Sequence, residues 1–380
     1  INTNNSMYQG YVRGTGSTAW PGSIAAGLEN RDLKWETTET KNIGIDFGLF
    51  NNNLSGNINY YINETTDLLI TKELAPSTGM DSPVLNVGRM RNTGVELELN
   101  WNHSVGKLLY SVGFNLSTVN NKVIELADKS QVLYGEGLKY GSEHFPTQTR
   151  VGKPIGAFYL YQADGIFQNA DEVAKHVSAN GTLIQPNAQP GDIRFKDLNG
   201  DGVLDENDKE YSGSGIPKVE ANLNFNASYQ GIDLSFVLGS GWGHKIYNGN
   251  KYFYEAMNSG SNMLRSTLQA WTPNRTNTSV PRAVYQDPNG NSRESTRFLE
   301  KGDFVRLRQI QLGYTFPTVL TNKIYLERVR LYVSAENLFT ITGYDGVDPE
   351  FSRNSVLNAG IDKLIYPFTR SFTIGAQVSF

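Results

Sequence analysis

The stretch VEANLNFNASY, residues 219–229, decides the fold. Ala221, Leu223, Phe225, Ala227 and Tyr229 fall at every second position, with Asn222, Asn224, Asn226 and Ser228 between them. Successive side chains of a strand point to opposite faces, so this segment has one oily face and one lined with amides. The same alternation runs through GVELELNW at 94–101, where Val95, Leu97, Leu99 and Trp101 oppose Glu96, Glu98 and Asn100. It runs again through RVRLYVSAEN at 328–337.

Working outward, about ten such segments emerge, near 41–50, 54–63, 93–102, 108–117, 156–166, 219–229, 231–239, 304–314, 328–337 and 371–380. Some are joined by short turns, such as NNN at 51–53 and QG at 230–231. Others are separated by long stretches at 64–92, 118–155, 167–218, 240–303 and 338–370, far beyond the usual hairpin connection of about 2–5 residues. Short turns alternating with long loops is the pattern of an antiparallel transmembrane β-barrel, with periplasmic turns and extracellular loops. In FVRLRQIQLGY the apolar phase slips between Leu307 and Ile310, which predicts a β-bulge or a strand leaving the membrane. Within 240–303, Met263, Leu264, Leu268 and Trp271 are spaced for one helix packed on a loop. Alternation alone also suits a soluble extracellular β-sandwich, an adhesin or carbohydrate-binding protein stabilised by calcium. The amide- and charge-bearing faces, which suit a hydrated lumen, and the long loops favour the barrel, and a continuous apolar belt would decide between the two.

Composition agrees with an all-β chain. There are 38 glycines and 20 tyrosines in 380 residues, and charged residues make up 19% against about 25% in ordinary soluble domains. The formal charge of −4 offers no basic field for phosphates, so no nucleic-acid partner is expected. No cysteine is present, which excludes disulfides and thiolate metal sites. No apolar run is long enough for a transmembrane helix, a criterion that strands escape because only one of their faces need be apolar.

Catalytic patterns are missing. His103, His144, His176 and His244 are scattered without zinc spacing, and GSGWG at 239–243 reads as a strand-end turn. Glu96 and Glu98 share a face, as lumen-facing carboxylates do, and no G-x-S-x-G elbow occurs. An enzyme is not expected.

One loop does carry ligand chemistry. KDLNGDGVLDENDK at 196–209 offers Asp197, Asn199, Asp201, the Val203 carbonyl, Asp205 and Asp208 at positions 1, 3, 5, 7, 9 and 12 of a calcium-type loop, with Gly202 at the turn. Oxygen donors of this kind suit Ca2+, or Mg2+ given the short final Asp, in a structural role within 191–215. The competing reading is a plain Asn-Gly/Asp-Gly turn.

The ending SFTIGAQVSF places Phe372, Ile374, Ala376, Val378 and Phe380 on one face. Thr373, Gly375, Val378 and Phe380 match the polar-x-Gly-x-x-apolar-x-aromatic pattern of terminal barrel strands, which resembles the signal read by the barrel-assembly machinery. Four further stretches lie in a telling order: GDIRFKDLNGDGVLDENDK at 191–209, AWTPNRTNTSVPRA at 270–283, FLEKGDFVRLRQIQLGYTFP at 298–317 and SAENLFTITGYDGVDPE at 334–350. Together they resemble the C-terminal part of SusC/RagA-type TonB-dependent outer-membrane transporters, and residues 30–61 are similar to that family's mid-barrel.

The resemblance implies a barrel of about 22 strands with a plugged lumen, of which this chain, 1–380, is a C-terminal portion without the plug. It implies an outer-membrane location among lipid, energy from TonB through the plug, and a SusD-like surface lipoprotein as lid. The implied cargo is oligosaccharide or peptide. Tyr134, Tyr140, Tyr252, Phe253, Tyr254 and Trp271 are the loop aromatics placed to meet ligand or lid, or else to pack the loops.

Overall fold

The computed structural model describes residues 7–13, 19–25, 30, 32–71, 83–86, 88–126, 132–140, 142–258, 262–351 and 355–380. Among them the largest sheet has ten strands, nine of which form one antiparallel path. In chain order the nine are Thr37–Leu49, Leu54–Thr66, Gly88–Val105, Leu108–Thr118, Val219–Tyr229, Ile232–Trp242, Phe304–Thr315, Arg328–Thr342 and Ser371–Ser379. Asn120–Leu126 joins the sheet beside Gly88–Val105.

Chain-sequential strands are neighbours throughout, so the connections fall at alternating ends. At one end lie the short links, including the Gln230–Gly231 turn, where both residues have positive φ (47° and 90°). That backbone twist suits a two-residue hairpin. At the other end lie 67–87, 119–218, 243–303 and 343–370. A longer link, 316–327, holds a short helix, Thr318–Thr321, on the short-turn side.

The register turns local alternation into continuous bands. Leu49, Leu54, Trp101, Val112, Phe225, Phe236, Ile310, Ala335 and Phe372 are partners in succession across all nine strands. One residue away runs Gly48, Ser55, Asn100, Gly113, Asn224, Val237, Gln309, Glu336 and Ser371. On the apolar side Ile43, Leu312, Val333 and Ile374 are exposed. Of the buried apolar side chains among the described residues, Phe304, Leu307 and Ala335 belong to the nine wall strands; the rest belong to the structure at the long-loop end. A β-sandwich would bury its oily rows against a second sheet. These rows face outward uncovered, and the soluble-sandwich alternative is set aside.

One detail of the wall matches the sequence reading, and two segments correct it. The register shifts at Leu307/Gln309, and Arg308 is the extra residue that returns Leu307 and Ile310 to one face. Gly375 of the last strand lies under the Tyr332 ring, where a Cβ would come within 2.3 Å of its Cζ. The segment 156–166 is not a wall strand. Ala157–Tyr161 pairs with Lys209–Ser214 and Thr147–Thr149 in a small loop sheet and is buried on both faces, as its uninterrupted apolar run AFYLY requires. The single helix expected near 251–271 is instead Gly249–Tyr254 followed by a 3-10 turn at Arg265–Gln269. The intervening Asn258, Ser259, Gly260, Ser261 and Asn262 disfavour a helix.

The outward rows predict an asymmetric response to charge. Phe225→Lys, set toward lipid, should lower barrel stability by about 2–4 kcal/mol if near the midplane. Asn224→Lys, on the opposite face, should change it little. The folded fraction on heat-modifiable gel migration after urea titration separates the two.

Candidate functional site

The long connections are packed together. Leu138, Phe158 and Leu160 from 119–218, Tyr247, Tyr252 and Phe298 from 243–303, and Ile361 from 343–370 form one fully buried cluster. A second joins Tyr161, Ile166, Ile193 and Phe195 to Trp271. Strand Lys245–Asn248 pairs with Leu299–Lys301 on one side and with Ile361–Asp362 on the other. The connections thus form a cap with its own core.

Buried ion pairs cross between the same connections. Asp192, fully buried, receives the Arg282 guanidinium through two bonds of 2.7 and 3.0 Å, and Asn291 adds a third at 2.9 Å. Lys209 Nζ donates to Glu294 and Glu206, each at 2.5 Å, while His144 Nδ1 lies 2.5 Å from the other Glu294 oxygen. Burial pushes the Glu294 carboxyl up, but the His144 hydrogen bond and the Lys209 charge outweigh it and hold it at about 2. At the junction with the wall, Arg306 is buried against Asp348, and Arg308 bonds Glu350 at 2.8 Å. Spacing alone does not announce these pairs; unpaired acids and bases far apart in the chain are the only trace they leave in the sequence.

Between 243–303 and 343–370 the cap forms an open cleft of about 1340 Å3, lined by Tyr254, Arg265, Asn277, Val347 and Leu364 among others. The loop aromatics divide around it. Tyr254 lines the cleft. Tyr134 is exposed and packs on Phe145. Tyr252 is fully buried and Trp271 nearly so, with its indole N–H donated to Gln168 at 3.0 Å. Both pack within the cap core, the second of the two roles open to them. Phe253 is partly buried against the first core. Tyr140 closes the strand Leu138–Tyr140, and its side chain lies outside the described residues.

The acidic loop sits between strands Ile193–Phe195 and Lys209–Ser214, at the long-loop end. Asp197 accepts from Gly200 N at 2.7 Å and Gly202 N at 2.8 Å, and Gly202 adopts φ +87°. Asn199 accepts from Asp201 N, Asp201 from Val203 N, and Asp205 from Asn207 N. Asp208, fully buried, accepts from Leu198 N at 2.8 Å and Asp205 N at 2.9 Å. The donors are all oxygen, as a hard cation needs. Among the described residues, however, no three acidic or imidazole groups converge on one point. The loop as it stands is braced by its own amides.

Of the terminal signal, Val378 and Phe380 are exposed. Thr373 pairs with Ser334 in the amide-bearing register.

A continuous sheet with oily rows outward, amide rows inward and a packed cap at one end is the wall of a transmembrane β-barrel. The chain belongs to the TonB-dependent receptor-like β-barrel family, whose model matches residues 2–338. It is 31% identical over 369 residues to TonB-dependent receptor P3 of Formosa agariphila, covering 94% of this chain and 36% of that protein. It is 27% identical to TonB-dependent receptor SusC of Bacteroides thetaiotaomicron, covering 92% of this chain and 32% of SusC. The solved structure of the RagAB peptide transporter superposes with a TM-score of 0.77 at 25% identity, covering 99% of this chain and 39% of the other. The chain therefore spans about a third of the length of the curated relatives it matches. Barrels of this family are outer-membrane proteins.

The Glu294 cluster yields a test of the cap. Glu294→Gln leaves the buried Lys209 with Glu206 alone and should loosen the cap by about 3–5 kcal/mol. The carboxylate's lowered pKa means its contribution is full above the ordinary 4.5 and drains away as the pH falls toward 2. Proteolysis within 191–215 and 286–300, followed against pH, should accelerate in wild type below about pH 4.5, and in the variant at neutral pH already.

Proposed function

We propose that this chain forms part of the wall and the external loops of an importer that carries oligosaccharides or peptides across the outer membrane. The carrying observation is the conjunction of outward oily rows with a cap, at one end, that holds an open cleft of about 1340 Å3. The likeness to SusC and to the RagAB peptide transporter supports the same reading. In the whole protein the sheet edges would be completed by further strands into a barrel of about 22, and TonB would act through a plug region. A SusD-like lipoprotein would cover the cap, with the exposed Tyr134 and the cleft-lining Tyr254 among its contacts or the cargo's. Thr373, Gly375, Val378 and Phe380 would serve the barrel-assembly machinery as its recognition strand.

The test is affinity purification of the full-length protein from outer membranes, with uptake measured alongside. A surface lipoprotein should co-purify, and uptake of a glycan or peptide should cease when TonB is deleted. A protein that purifies alone and imports without TonB would sink the proposal.

We propose further that Asp197, Asn199, Asp201, the Val203 carbonyl, Asp205 and Asp208 take a structural Ca2+, or Mg2+. Each acidic side chain spends only part of its lone-pair capacity on the loop amides. The four aspartates among these ligands, all within twelve residues, repel one another, which a divalent ion would relieve. Adding a chelator should speed cleavage within 191–215 several-fold and restoring Ca2+ should reverse it; an unchanged rate argues for a loop held by amides alone.

A further inference from the structure

The link 316–327 is the longest of those joining wall strands at the short-turn end, where the others are 50–53, 106–107 and 230–231. A hairpin needs only about 2–5 residues there. The extra length is a built element. Thr318–Thr321 forms a helical turn, Thr321 is buried, and its carbonyl accepts from Leu326 N at 3.1 Å. Yet Val319, Leu320, Ile324 and Tyr325 are 73%, 53%, 62% and 93% exposed. Tyr325 also holds φ 60° and ψ 32°, a left-handed backbone that a bulky residue rarely adopts. An outlier of this kind persists only where its surroundings fix it, and it asks what the displayed side chain is for.

We propose that this link is a foot set in the periplasmic leaflet, with Val319, Leu320, Ile324 and Tyr325 entering the boundary between phospholipid headgroups and acyl chains. The oily face of the wall leads into it. Tyr229, Ile232, Tyr314, Leu331 and Ala376 are register partners in one outward row at the short-turn end. Phe316 continues beyond that row: its amide donates to Val329 O at 2.9 Å, and its ring stands edge-on to Tyr314 at 5.1 Å. The link's exposed apolar residues follow directly, so the lipid that covers the row has a continuous path onto the link. Tyr229 and Tyr314 in the row and Tyr325 in the link supply the amphipathic rings that favour headgroup level. Lys323, exposed and in no ion pair among the described residues, offers a cation to lipid phosphate while its stem lies along apolar surface. The exposed Thr318, Asn322 and Glu327 interleave the apolar residues, a mixture that suits a headgroup boundary and not the dry centre of a protein interface. The proposal rests on the membrane placement of the wall and not on the import reading.

The experiment is nitroxide accessibility, read by EPR power saturation on the full-length protein in vesicles of phosphatidylethanolamine and phosphatidylglycerol. This chain has no cysteine, so single labels are introduced at Val319→Cys and Ile324→Cys, any cysteine outside the chain being replaced by serine first. Both sites are exposed, and Leu320→Cys replaces either variant that fails to migrate as a heat-modifiable barrel. Phe225→Cys, on an oily row, is the lipid-facing reference, and Lys107→Cys, in a short turn, is the water-facing one. Both foot labels should be relaxed by oxygen in preference to a water-soluble nickel chelate, with a ratio several-fold above that at Lys107 and approaching that at Phe225. Relaxation by the nickel complex as at Lys107 means that the link hangs in water, and exclusion of both reagents means that protein covers it. Either result, at either position, overturns the foot.

Discussion

A peptide group inside a bilayer has no water to bond, so every N–H and C=O of a spanning strand must find its partner in the neighbouring strand. That requirement orders the whole wall. It makes the ladders continuous from Thr37–Leu49 to Ser371–Ser379 and puts each strand beside its successor. It also makes the path's two ends the structure's unsatisfied places. Those two strands are the most exposed of the nine, and in a barrel of this family their edges meet other strands. The side-chain pattern follows from the same demand, because a strand pinned in the wall has one face left for lipid and one for water.

The watery face is where close approach matters. Arg330 stretches across the neighbouring strand to Asp233, with bonds of 2.9 and 2.5 Å, and passes over Gly313, where a Cβ would lie 2.5 Å from its Nη2. Tyr332 lies over Gly375 in the same manner one strand further on. In each case the missing side chain lets a long one lie flat across the ladder, and Arg330 thereby ties three strands together. Gly375 thus has a packing reason to be glycine, separate from any role in recognition.

What the sequence displayed and what it hid divide along the range of the interactions. The wall was legible because alternation is local: 219–229 can be read without knowing its neighbours, and the phase slip between Leu307 and Ile310 marked the bulge. The run 157–161 misled because its side chains are apolar on both faces; it needs burial on both, which the cap supplies and a wall does not. The cap itself was hidden. Asp192 and Arg282, or Lys209 and Glu294, are separated by 90 and 85 residues, and no spacing rule joins them. The acidic loop was legible in its turn chemistry, Gly202 taking the positive φ of the turn, while the destination of its carboxylates depends on backbone amides that sequence does not locate. For Tyr252 and Trp271 the sequence left contact and packing both open, because the cores they fill are assembled from separate connections.

That assembly bears on how cargo could pass. Each side chain in the first cap cluster is fully buried, and exposing one such side chain costs about 1.5–3 kcal/mol. A connection that swung away alone would uncover several of them and would break ion pairs such as Lys209–Glu294 as well. Independent flapping of the connections is therefore opposed by a sum of costs that no single loop recovers. The cap moves as one body or hardly at all, and the access it grants is set either by that joint motion or by what covers it. A rigid platform over the amide-bearing face of the wall is the arrangement these contacts favour.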